Sequence, residues 1–157
     1  MSTLDSFDVR ILETLQTEGD MTMAELSERV HLSHSQCSRR VKQLRDNGVI
    51  DHFAAILSPE RLGLNLKSYV SVTLKHNSQT ADDFRVLIRD CPEIIECAMV
   101  TGDGDFLIQA YTRDLAHFRD LLGKLAQIEV VSSLKSVIVI EDVKRTSALP
   151  VYQGTAL

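Results

Sequence analysis

TMAELSERVHLSHSQCSRRVKQLRDNG, residues 22–48, holds two helix starts and one helix stop. Thr22-Met23-Ala24-Glu25 and Ser33-His34-Ser35-Gln36 both read as capping boxes, in which a hydroxyl and the acid or amide three residues on satisfy each other's free amides. Behind the first box, Leu26 and Val30 point inward. Behind the second, Cys37, Val41 and Leu44 recur at i, i+4 and i+7 until Asn47-Gly48 stops the helix. Only His31-Leu32 and the Ser33 cap separate the two helices, which is helix-turn-helix spacing. Upstream, Asp5 can cap an earlier helix. Asp8 lies at the positive end of its dipole, Ile11, Leu12 and Leu15 form its apolar face, and Gly19-Asp20 ends it.

The third helix divides by face. At about 100° per residue with Cys37 at zero, Val41 and Leu44 fall near 40° and 340°, whereas Ser35, Ser38, Arg39 and Lys42 fall between about 100° and 200°. Residues 34–45 contain Arg39, Arg40, Lys42 and Arg45 and no acid, a local +4 inside a chain whose net charge is −5. A basic helix face can be merely solvated. Here, small side chains at the N-terminal end of the second helix of a helix-turn-helix let it sink into the major groove of double-stranded DNA. Ser33 and His34 open that end; Ser35, Gln36, Ser38 and Arg39 are the candidates for base contact, and Arg40, Lys42 and Arg45 for phosphates.

Val49–Ile56 is expected as a short ribbon, the wing of a winged helix. Pro59 and Gly63 then mark a linker. Beyond it a strand, helix, strand pattern occurs twice. Tyr69 to Leu74, the stripe Phe84, Val86, Leu87 and Ile88, and Ile94 to Val100 form the first unit. Phe106 to Ala110, the stripe Leu115, Phe118, Leu121, Leu122 and Leu125, and Val130 to Ile140 form the second. This is the βαββαβ order of a ferredoxin-like α+β domain, with both helices on one sheet face. The expected division is 1–56 for the helix-turn-helix, 57–66 for the linker and 67–157 for the second domain with a C-terminal tail. Its open sheet face calls for a second copy, so a homodimer or a larger even assembly is expected.

Between the inner strands lies Thr101-Gly102-Asp103-Gly104-Asp105. Its glycines permit close approach of a small ligand and its carboxylates can accept from an ammonium group, although the same residues also suit a plain tight turn. A calcium loop would need further oxygen ligands and a Glu at its twelfth position, which are missing. The 157 residues are 44% apolar, an ordinary globular composition that argues against disorder. No apolar run approaches the roughly 20 residues of a membrane span, and the Met-Ser-Thr-Leu-Asp start lacks a secretory pattern, so the cytoplasm is expected. Cys37, Cys91 and Cys97 form no Cys-x-x-Cys pair and read as packing residues. His31, His34, His52, His76 and His117 are scattered, so neither a metal nor another cofactor is expected.

Taken in order, Leu4-Asp5-x-x-Asp8-x-x-Ile11-Leu12, Glu25-Leu26, Leu32-Ser33-x-Ser35, Arg40-Val41-x-x-Leu44, Gly48-Val49-Ile50, Pro92-Glu93, Thr101-Gly102-Asp103-x-Asp105, Val143-Lys144-x-Thr146 and Leu149-Pro150 resemble the Lrp/AsnC (feast/famine) transcription regulators over essentially the whole chain. The resemblance implies a DNA-binding winged helix-turn-helix and a ferredoxin-like effector domain that dimerises and often assembles to octamers. It further implies an amino acid or related metabolite held between neighbouring subunits. Carried over, that cleft involves Met99, Thr101, Gly102, Asp103, Gly104 and Asp105, with Ser136 and Val137 from the last strand. Gly104 departs from the bulkier residue of many members, which leaves the identity of the effector open. Two other readings compete: an enzyme like the siroheme decarboxylases, which resemble the family in layout, and an interaction module that has lost DNA.

Overall fold

The computed structural model describes residues 3–75 and 81–156; His76 lies outside them. The chain divides into two compact units, Met1–Ile56 with Lys144–Leu157, and Leu57–Val143.

The first unit contains α1 (Ser6–Thr17), α2 (Met23–Arg29) and α3 (His34–Asp46). Each helix starts where its cap predicts. Thr22 with Glu25 and Ser33 with Gln36 form reciprocal boxes, and so do Asp5 and Asp8 at α1, where Asp8 had been expected only to face the dipole. The apolar stripes converge: Ile11, Leu26, Val30 and Cys37 are fully buried and Leu44 nearly so, each Leu or Ile contributing about 1.5–3 kcal/mol by leaving water. The α2–α3 turn passes through His31 at φ 56, a left-handed position that lets the chain reverse within two residues.

Two expectations need correction. Residues 49–56 carry no strand in the described structure, because a ribbon needs a second strand to take up its backbone groups and the preceding segment is already α3. Phe53 and Ile56 remain 47% and 72% exposed. The C-terminal tail, expected with the second domain, belongs to the first unit. Val151 packs on the helical core, and Leu4 donates to the Thr155 carbonyl (2.9 Å) and accepts from the Gly154 amide (2.9 Å). The Gln16 amide grips the Leu149 backbone through both its oxygen (2.6 Å) and its nitrogen (3.0 Å).

In the second unit β1 (Leu66–Leu74), α4 (Ala81–Asp90), β2 (Ile94–Met99), β3 (Phe106–Thr112), α5 (Leu115–Ala126) and β4 (Val131–Ile138) follow the expected order. The sheet is antiparallel with strand order β2-β3-β1-β4. The period-two alternation sets its faces: Val70 and Val72, opposite Ile108 and Phe106, are buried with Phe84, Phe118, Leu121 and Leu125 of the helices. Tyr69, opposite Gln109 and Val137, lies on the other face, as do Ser71 and Leu107. On that face Leu107 is 39% and Val137 63% exposed.

Candidate DNA-binding helix and effector loop

In α3 the buried stripe of Cys37, Val41 and Leu44 turns the opposite side of the helix to solvent. Ser35, Arg39 and Arg45 are exposed there, with Ser38 partly so, and Lys42 keeps 79% of its side chain exposed while lying 3.9 Å from Asp46. His34 is exposed at the first turn. The Ser33 hydroxyl accepts from the Gln36 amide (3.3 Å), and the Gln36 side-chain oxygen accepts from the Ser33 amide (3.3 Å) and hydroxyl (3.0 Å). Gln36 is therefore engaged in the cap, which leaves its side-chain nitrogen as the group it can offer outward.

Arg40 does not share this outward face. Its guanidinium is drawn back to α1, 2.8 Å from both Asp5 and Asp8, and its side chain is only 21% exposed. The helical-wheel arithmetic contains the signal, since Arg40 falls near 300°, about 40° from Leu44. The sequence marks Asp5 and Asp8 as helix-start residues, and their part in holding α3 becomes visible only when the helices pack.

The loop between β2 and β3 is pinned to the end of β1. Asp105 donates its amide to the Val72 carbonyl (2.9 Å), and its carboxylate accepts from the Leu74 amide (2.7 Å). All of Thr101, Asp103 and Asp105 are exposed, and it is the Asp105 carboxylate that closes the strand. Gly102 adopts φ 126, and at Gly104 a Cβ would come within 2.2 Å of the Ser71 hydroxyl. The absence of a side chain there lets the loop lie against β1.

The remaining candidates for the effector cleft are far apart within one chain. Met99 is on β2, and Ser136 and Val137 are on β4, at opposite edges of the sheet and about 14 Å apart at the usual strand spacing. Ser136 and Val137 also face opposite ways, opposite Val70 and Tyr69 respectively.

One further ionic site holds β2 to α5. Glu93 accepts from His117 Nε2 (2.9 Å), while the backbone amide and Nε of Arg113 donate to His117 Nδ1 (3.3 and 3.4 Å). Burial pushes the Glu93 carboxyl up, but the His117 hydrogen bond and the Lys124 charge outweigh it, and its pKa lies below the ordinary value.

Residues 67–149 match the Lrp/AsnC ligand binding domain, and residues 4–51 a winged helix-turn-helix DNA-binding domain. The chain is 37% identical over 145 residues to the proline dehydrogenase transcriptional activator of Rhizobium radiobacter, covering 91% of this chain and 93% of that protein. It is also 37% identical over 148 residues to the leucine-responsive regulatory protein of Haemophilus influenzae, covering 93% and 89%. A transcriptional regulator of Neisseria meningitidis, solved as a complex with L-Met, superposes with a TM-score of 0.91 at 40% identity, covering 94% of this chain and 97% of that one. Matched in both its halves, the chain belongs to the Lrp/AsnC family of DNA-binding transcription regulators.

Proposed function

We propose that α3 is the recognition helix, entering the major groove with Ser33 and His34 leading, Ser35, Ser38 and Arg39 at base edges and Lys42 and Arg45 at phosphates. The observation that carries this reading is the division of α3 into a buried Cys37, Val41, Leu44 stripe and an exposed hydroxyl and cation face. Two copies, paired through the open sheet face, would present two such helices about 34 Å apart, so the operator is an imperfect palindrome. In this reading such dimers assemble further, up to an octamer.

The effector is an amino acid or a close relative, held by Met99 and the 101–105 loop of one subunit with Ser136 and Val137 of another. The wide separation of these groups within one chain supports a shared site, and methionine, bound by the Neisseria meningitidis relative, is the first candidate. We read the protein as a regulator rather than an enzyme, acting in the cytoplasm where its DNA lies. No helix among the described residues is long and apolar enough to cross a membrane.

The test is operator binding by Arg39→Ala. A bidentate base contact costs about 1–3 kcal/mol when removed, and preference relaxes at one operator position. Equal losses on operator and on mixed-sequence duplex would show that Arg39 does not read bases.

A further inference from the structure

We propose that Arg40 is a positioning residue of the recognition helix, locking α3 to the capped start of α1 without itself touching DNA. The proposal rests on the reading of α3 as the recognition helix, and it separates Arg40 from the cations on either side.

On its carboxylate side the network around Arg40 is fully used. One Asp5 oxygen accepts from the amides of Phe7 (2.8 Å) and Asp8 (2.9 Å), and the other meets Arg40 Nη1 (2.8 Å). One Asp8 oxygen accepts from the Asp5 amide (3.1 Å), and the other from Arg40 Nη1 (2.8 Å). All four carboxylate oxygens are used, so the N-terminal cap of α1 and the tether of α3 are one structure. The Phe7 ring lies 5.4 Å from the guanidinium carbon and gives it an aromatic face to rest on.

Charge points the same way. Two carboxylates face the Arg40 guanidinium, and its Nη1, which reaches both, is committed to them rather than to a phosphate. Arg40 is 21% exposed where Lys42 is 79% exposed, so Lys42 is the better placed of the two to neutralise a phosphate and release counterions from DNA. What Arg40 can set is the rotation and seating of α3, and hence where Ser35, Ser38 and Arg39 meet the groove. Small misplacements at a direct-readout surface cost operator binding more than non-specific binding, because base-edge hydrogen bonds are directional and phosphate attraction is not.

The experiment measures affinity and salt dependence for full-length wild type, Arg40→Ala, Arg40→Lys, Asp8→Asn and Lys42→Ala. The probes are a duplex selected by the wild-type protein from a random library, and a mixed-sequence duplex. Circular dichroism at the assay temperature reports folding. Asp8→Asn keeps an oxygen for the Asp5 amide and so serves if Arg40→Ala fails to fold. Charge alone predicts that removing the Asp8 carboxylate tightens DNA binding; the clamp predicts the reverse.

The expected result is at least a tenfold loss on the selected duplex for Arg40→Ala and Asp8→Asn, a much smaller loss on mixed sequence, an unchanged slope of log K against log salt, and partial rescue by Arg40→Lys. A slope reduced by about 0.9 in Arg40→Ala, with Asp8→Asn binding as tightly as wild type or tighter, would make Arg40 a phosphate contact and overturn the proposal. Lys42→Ala tests the underlying reading separately. If it leaves the salt slope unaltered while Arg40→Ala lowers it, both the assignment of the outward face and the clamp fall.

Discussion

Arg40 and Glu93 illustrate how a side chain's chemistry depends on what the fold sets beside it. Both are charged residues whose partners come from another element: Asp5 and Asp8 of the α1 start for Arg40, and His117 of α5 for Glu93. The pH dependence of Glu93 follows from the sign of its shift. Its folded pKa lies below the unfolded value, so its contribution is present in full above the ordinary carboxylate value of about 4.3 and is lost as pH falls through the lower folded value. Glu93→Gln should therefore lower stability at neutral pH and flatten the decline on the acid side. Urea unfolding of wild type and variant from pH 3 to 7 checks this; a constant gap between the two curves down to pH 3 would contradict it.

In the β2–β3 loop, two aspartates that look equivalent in Gly102-Asp103-Gly104-Asp105 have different tasks. The Asp105 carboxylate accepts from the Leu74 amide and so belongs to the sheet, while the equally exposed Asp103 touches β1 only through its backbone carbonyl, which accepts from the Thr73 hydroxyl (3.5 Å). Asp103→Ala should leave thermal stability close to wild type and abolish the rise in Tm that the effector produces, a rise equivalent to about 2.7 kcal/mol when ligand is at a hundred times its Kd. Asp105→Ala should lower the Tm of the unliganded protein through loss of the strand-end hydrogen bond, at about 0.5–1.5 kcal/mol. A thermal-shift screen against the twenty amino acids, methionine first, reads both effects. Identical behaviour of the two variants would refute the division. The stretch 49–56 shows the opposite limit of local reasoning, because a β-branched and aromatic run is a strand only where another strand pairs with it, and among the described residues of one chain none does.

The DNA-binding unit is built from both ends of the chain. Val151, the Gln16–Leu149 amide pair and the Leu4 hydrogen bonds to Gly154 and Thr155 make the tail part of the helical core. Removing residues 149–157 should destabilise the helix-turn-helix by about 1–3 kcal/mol, from one partly buried Val and several hydrogen bonds. Hydrogen exchange of α1 amides in the truncated chain measures it, and unchanged protection would mean the tail is dispensable. The effector candidates illustrate the same dependence on the entire molecule, since the strand order puts β2 and β4 on opposite edges and no reading of Met99 or Val137 alone reveals it.

Caps and periodicity were enough to locate α1, α2, α3 and the βαββαβ order, because helix starts and alternating burial are set by residues within a few positions of one another. The outward face of α3 was legible for the same reason. The pairing of Arg40 with Asp5 and Asp8, the capture of Asp105 by β1 and the return of the tail were decided only by tertiary structure. Each depends on a partner many residues away, and which distant groups meet is settled by the packing of elements, not by the local sequence that builds them.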